Sequence, residues 1–356
     1  MYRYNIKKLN TSGFTLVELL VVMAIFGIIL AGVLKVFDTS NYTYKVQEEV
    51  TEMQQNVRVT KMFIEKDVRM AGCDLKSFRV SEIEVYPFYF QDNVGANGSD
   101  KLIVTYIDHS VEDCADAPPD LRITDTMPDD ASAVDVKEEF DNAPYDKWES
   151  SFTCGDPPVT YGSGVPFIPF QIIVREKDGS RSDVVWVTNV MNNGSGTWDK
   201  ILNNDYPSGI SNKIINHYPE DSTLSYFSPK KLRRYAYYVV NDTLKRDTLN
   251  STNVVVGSDI VATNIEDLQI AFNLDTDNDG EVDTWIGDTG PAVLTDAQSK
   301  QVRLVRITIL GKTASEHRGY TNTRPGIENN AAGAATDGYR RKQLQVTIKV
   351  RNLGLS

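Results

Sequence analysis

Cysteine is scarce in this chain: Cys73, Cys114 and Cys154 are the only three among 356 residues, and no two form a CxxC pair. That spacing gives no support to a dithiol redox motif or a cysteine-rich zinc site, both of which need closely placed thiolates. Histidine is as scarce, with His109, His217 and His317 alone, and none stands in an HExxH motif. A GxSxG nucleophile elbow is missing too. Gly311-Lys312-Thr313 fails as the end of a phosphate loop, because Arg306 stands where that loop needs its first glycine. With no catalytic constellation in view, the chain reads as a non-enzyme. A dense basic run is also lacking, since 37 Lys and Arg are outnumbered by 49 Asp and Glu for a net charge of −12. Binding to a phosphate backbone needs clustered cations that displace counterions. The short groups Lys230, Lys231, Arg233, Arg234 and Arg340, Arg341, Lys342 read as solvated faces, so no nucleic-acid partner is expected.

What the chain does have is one uncharged apolar run, Leu19 to Leu34, near its N-terminus. Counted from Phe14, about 21 nearly all apolar residues at ~1.5 Å rise each just cross ~30 Å of hydrocarbon. Arg3, Lys7 and Lys8 precede the run. Positive charge on that side keeps the first residues in the cytoplasm and sends the rest across the membrane. A secretory signal would carry its small-residue cleavage site after the apolar core. Here Gly13 comes before it, so cutting there removes a basic leader and leaves the apolar helix attached. Glu18 is the anomaly, since a carboxylate within a span costs about 2.5–3.5 kcal/mol. Cleavage after Gly13 would give Phe14 a cationic amine four residues away on the same helix face, able to pair with Glu18 within a subunit or between neighbours. The alternative is a carboxylate tolerated near the interface.

The run Gly13-Phe14-Thr15-Leu16-Val17-Glu18-Leu19-Leu20 closely resembles the processing signature of type IV prepilins and pseudopilins. The resemblance implies that a prepilin peptidase cuts between Gly13 and Phe14 and N-methylates Phe14, and that Glu18 helps dock the subunit into a growing filament. Many major pilins carry a helix-kinking proline in this segment, whereas this chain has no proline before Pro87.

Beyond the apolar run, Val46, Val50, Met53, Val57, Ile64, Val68 and Ala71 recur at helical spacings, broken by Thr60 and Lys61. Gln47, Glu48, Glu49, Glu52, Gln54 and Gln55 lie between them, so this half is amphipathic and suited to lie against a globular domain. Gly72 is the expected stop. After it come short β-branched and aromatic runs: Lys101 to Ile107, Gln171 to Val174, Asp183 to Val190, Tyr235 to Val240, Asn253 to Val261, Leu268 to Leu274, Val302 to Leu310 and Gln343 to Val350. The expected fold class is therefore α+β, a long N-terminal helix packed on a β-rich, pilin-like globular domain. Residues 1–13 form a basic leader, 14–36 the membrane-spanning half of the helix, and 37–72 its amphipathic half. Residues 73–356 form the β-rich domain, with a Pro-, Asp- and Gly-rich excursion at about 113–164 and a short helix expected near Val134 to Phe140. Cys114 and Cys154 both fall in that excursion and are the preferred disulfide if the domain is exported, although three cysteines allow three single bridges.

Asp275-Thr276-Asp277-Asn278-Asp279-Gly280-Glu281-Val282-Asp283 is the sharpest motif outside the N-terminus. Carboxylates on alternate residues converge on one hard cation when the chain turns sharply, and Gly280 stands where an EF-hand-type loop turns. Asp275, Asp277 and Asp279 would give side-chain oxygens, Glu281 its carbonyl, and Asp283 a direct or water-mediated ligand. A structural Ca²⁺ is the expected cofactor, and a solvated acidic hairpin turn is the alternative. Ile286 replaces the bidentate glutamate of a full EF-hand.

Three further segments resemble PilW-type minor pilins of the type IV pilus system. They are Gln54-Gln55-Asn56-Val57-Arg58 with Asp67-Val68-Arg69-Met70-Ala71-Gly72; Ile265-Glu266-Asp267-Leu268-Gln269-Ile270; and Tyr339-Arg340-Arg341 with Val350-Arg351-Asn352-Leu353. The resemblance implies a low-copy subunit that initiates or caps pilus assembly. Its partners would be other minor and major pilins, the prepilin peptidase, and the inner membrane before assembly. Two alternatives stand beside it: a minor pseudopilin of type II secretion, and a filament-displayed adhesin that uses aromatics such as Tyr145, Trp148 and Phe152 for cell adhesion.

Overall fold

The computed structural model describes residues 14–75, 78–80, 83–111, 121–123, 126, 133–137, 170–187, 189–192, 197–201, 214, 217–250, 253–277, 279–289 and 293–353. Its dominant element is α1, Leu16–Met70, a helix of 55 residues. By contact density the chain divides into a unit ending at Glu52 and a second, larger one from Met53 to Ser356. In the first unit the apolar side chains from Phe14 to Phe37 are exposed, which is the burial pattern of a helix whose solvent is lipid. The α+β architecture is as the sequence implies, a long helix and a β-rich domain of several sheets.

Two antiparallel sheets form the heart of the second unit. The strands are β1 (Phe88–Gln91), β2 (Lys101–Ile107), β3 (Leu232–Val240), β4 (Thr243–Leu249), β5 (Val255–Thr263), β6 (Ile265–Leu274), β7 (Thr284–Ile286), β8 (Val302–Lys312) and β9 (Arg341–Lys349). One sheet runs β5-β4-β3-β2-β1 and the other β7-β6-β8-β9. Side chains of both meet the C-terminal part of α1, so that Val57, Ile64 and Val68 share a core with Leu102, Val104, Tyr237, Leu268, Ile270, Phe272, Ile307 and Ile309. Each fully buried large apolar side chain contributes about 1.5–3 kcal/mol, and this cluster fixes helix to sheets. Thr60, which interrupts the apolar stripe in sequence, is fully buried and continues it in space. Asp67 is 2% exposed and accepts hydrogen bonds from the phenols of Tyr106 at 3.0 Å and Tyr237 at 2.5 Å. Burial and then the Asp67 charge push both phenols up, keeping them protonated as donors.

The middle of the chain supplies a separate six-stranded sheet, in the order Ile83–Glu84, Phe78–Val80, Ser182–Val187, Phe170–Arg175, Thr223–Tyr226, Leu121–Arg122. A three-stranded sheet joins Ala133–Lys137, Thr197–Ile201 and Asn189–Asn192. The short helix expected near Val134 to Phe140 is thus corrected to a strand over Ala133–Lys137, paired antiparallel with Thr197–Ile201. Val134 and Val136 alternate with polar neighbours, a period-two pattern that favours the strand. The last α-helix among the described residues, α2 (Asp296–Gln301), starts with a capping box between Thr295 and Gln298.

Asp100 is fully buried between the sheets' connections, where its carboxylate accepts the amides of Asn93 at 3.1 Å and Ile270 at 2.8 Å. Burial pushes this carboxyl up to about 8, with Asp92 and Asp267 adding to the rise against the pull of the two amides. The folded chain therefore holds a proton that the unfolded chain releases above about pH 4. Stabilisation from this group is full below about pH 4 and is lost as pH rises through 8. The urea midpoint of the wild type should fall between about pH 6 and 9 by more than that of Asp100→Asn, which is neutral throughout. Parallel pH curves would refute the assignment.

Candidate functional site

At the N-terminal end, Gly13 lies outside the described residues and Phe14 is exposed. Glu18 does have a partner, and it is local. Its Oε2 accepts the backbone amide of Thr15 at 2.8 Å and the Thr15 hydroxyl at 2.9 Å, while the Glu18 amide donates to Thr15 Oγ1 at 3.3 Å. This is a reciprocal capping box, in which Thr15 as N-cap and Glu18 at the third helical position satisfy amides that the first turn leaves without carbonyls. While Gly13 remains joined to Phe14 there is no terminal amine to meet Glu18, so the carboxylate is held by the cap. The signal Thr-x-x-Glu before an apolar run was readable in the sequence.

The acidic loop leaves the end of β6 and returns at β7. Asp275, Asp277 and Asp283 come together, with one carboxylate oxygen of each within 4.8 Å of the others. Asp279 is outside that cluster, and its Oδ1 accepts the Glu281 amide at 2.7 Å. Asp277 Oδ1 accepts the Asp279 amide at 3.2 Å, and Gly280 turns the chain with φ of 90°, a conformation costly for any residue with a side chain. The amide and hydroxyl of Thr276 donate to Asp283 Oδ2 at 2.7 and 2.6 Å. Those bonds, the hydroxyl's first, hold the Asp283 carboxyl below the usual carboxylate range. Asp275 is buried, and its Oδ2 accepts from Arg303 at 3.1 Å and from the Gly280 amide at 3.3 Å.

The segments singled out at the two ends of the domain are neighbours in space. Asn352 Nδ2 donates to the carbonyls of Arg69, Met70 and Ala71 at 3.4, 3.1 and 3.4 Å, closing the C-terminus of α1. Gly72, with φ of 77°, stops the helix as expected. A Cβ there would come within 2.4 Å of Leu353 Cδ2, so the C-terminal residues seal the helix end. Arg341 reaches the two Glu266 oxygens at 2.6 and 3.0 Å and both oxygens of Asp337. Asp267, fully buried, is held by Arg324 and by Asn330 at 2.9 Å. Arg324 and Asn330 were missed from sequence, since only folding places them beside Asp267.

Cys114 and Cys154, the preferred disulfide, and the aromatics Tyr145, Trp148 and Phe152 lie outside the described residues. Cys73 sits with Asp74 and His109, whose side chains are 2.7 Å apart. Burial, then the charges of Asp74 and Asp108, push the Cys73 thiol up. That disfavours the thiolate form a metal would bind.

A helix long and apolar enough to cross a membrane, exposed along its apolar length, leads into a β-rich unit. These features fit a membrane-anchored, pilin-like protein. Residues 8–34 match the family model described as Prokaryotic N-terminal methylation motif, and residues 233–352 match that of Type IV Pilus-assembly protein W. The chain is thus similar at one end to a prepilin methylation motif and at the other to a pilus-assembly family, and both families are structural rather than enzymatic. No curated protein and no solved structure matches the chain.

Proposed function

We propose that the chain is a minor pilin, a structural subunit that helps initiate or cap type IV pilus assembly in company with other minor and major pilins. The observation that carries this reading is the apolar first half of α1, exposed from Leu16 onward and headed by Glu18. In lipid such a helix gains little by staying alone, whereas helices packed side by side bury the costly carboxylate. Prepilin peptidase would cut between Gly13 and Phe14 and N-methylate Phe14. Glu18 would then exchange its capping bonds for the new cationic terminus, its own or a neighbour's. A single pass with positive residues inside would put the β-rich unit on the periplasmic side before assembly, and on the pilus afterwards.

Size supports a low-copy place at an end of the filament, because a unit running from Met53 to Ser356 would crowd a closely packed shaft. Edge strand β5 also exposes Val255, Val256 and Ile260 beside an open backbone edge, which offers a neighbouring subunit both ladder and apolar contacts. The test is genetic and chemical together. In a pilus-competent host, mass spectrometry should find a mature chain that begins with N-methylated Phe14. Glu18→Ala should leave that cleavage intact yet remove most surface pili, as deletion of the gene should. Normal piliation in the deletion strain, or a mature chain that starts beyond Leu34, would sink the proposal.

A further inference from the structure

The Asp275 to Asp283 loop holds a group that the fold itself leaves unsatisfied. Asp275 is 1% exposed, and while Oδ2 is engaged by Arg303 and the Gly280 amide, Oδ1 is buried with no hydrogen-bond partner. A buried acceptor left in that state costs about 1–3 kcal/mol, more when charged. The carboxylates gathered with it are those of Asp277 and Asp283, which are exposed side chains drawn inward by the turn. Two oxygens on one Ca²⁺ at about 2.3–2.6 Å stand no more than about 5 Å apart. The 4.8 Å limit on the three aspartate oxygens meets that condition without rearrangement. One guanidinium, Arg303, balances part of the charge of Asp275, Asp277, Asp279, Glu281 and Asp283, leaving an excess of negative charge that only a cation or water relieves.

From this buried free oxygen and the three-carboxylate cluster, we infer that the loop is a binding site for one hard divalent cation of calcium size. Asp275, Asp277 and Asp283 are the primary ligands, and Asp279 and the Glu281 carbonyl complete the shell with water. With Ile286 in place of a bidentate glutamate and Arg303 competing for Asp275, affinity falls in the weak range of extracellular modules, about 10⁻⁴–10⁻³ M. Its role is structural. The ion ties β7 to the end of β6, a strand buried along its whole length, and so fixes one edge of the four-stranded sheet.

The test uses the full chain in detergent, stripped with a calcium chelator and titrated with calcium chloride. Calorimetry should show saturable binding of one ion per chain, and the melting temperature should rise with calcium. Asp277→Asn should weaken binding by at least the roughly tenfold that even outer partners of a metal cost. The pair Asp277→Asn and Asp283→Asn should abolish both signals. Should the pair melt below the stripped wild type, Asp277→Asn alone decides, because among the described residues of the loop its carboxylate supports only the Asp279 amide. No calcium heat in the wild type, or a calcium-induced rise undiminished in Asp277→Asn, overturns the assignment.

Discussion

Arg341→Leu is expected to destabilise the β-rich unit by about 3–5 kcal/mol at neutral pH, the usual cost of removing one partner from a buried ion pair. The guanidinium is 4% exposed and forks onto two carboxylates, Glu266 at 7% and Asp337 at 27% exposure. Asp337 first and Glu266 second push Arg341 up, while Arg341 in turn holds the Asp337 carboxyl low. Leucine would fill much of the space but leave Glu266 charged against the fully buried strand β6. Urea unfolding of the full chain, followed by tryptophan fluorescence, gives the measure. Adding Glu266→Gln to Arg341→Leu should recover a substantial part of the loss, since the uncompensated charge goes with it. Arg341→Lys should fall between, because an ammonium keeps the charge and loses the fork. A loss under about 1 kcal/mol for Arg341→Leu would show that water reaches Glu266 and that the pair behaves as a surface bridge.

That pair also shows where sequence reading stops. Lys101 to Ile107 was legible with both ends in place, because a run of β-branched and aromatic residues favours a strand locally. The start of β6 was not: it begins at Ile265, three residues before the apolar run at Leu268. Glu266 and Asp267 look like turn residues until Arg341 and Arg324 arrive from the far end of the chain to pair with them and Asn330 donates a hydrogen bond to Asp267. Thr60 misled in the same way, a polar residue read as a break in the stripe yet buried within it. The membrane half of α1 was legible because lipid demands an unbroken apolar run, whatever lies elsewhere. The Thr15 and Glu18 cap is written in the sequence as well, as a Thr-x-x-Glu ahead of the apolar run. For the acidic loop, spacing gave the residues, while the convergence of Asp275, Asp277 and Asp283 without Asp279 needed the fold.

Gly311 is a position where one added methyl group should do harm. In sequence it looked like the remnant of a phosphate loop; in the fold it is a point on β8 that α1 approaches closely. A Cβ there would lie 2.5 Å from Val57 Cγ2 and 3.3 Å from Met53 Cγ. Methionine can swing aside, but Val57 is β-branched, fixed on the helix and 2% exposed, so its methyl cannot yield without moving α1. Gly311→Ala should therefore cost about 1–3 kcal/mol by overpacking, and Gly311→Val more, seen as lowered urea midpoints. If the clash is the cause, Val57→Ala should be destabilising alone yet compensatory beside Gly311→Ala. The double variant should then be more stable than the sum of the single losses predicts by about 0.5–3 kcal/mol. Strict additivity would mean that the glycine is needed for some property of the strand and not for the approach of the helix.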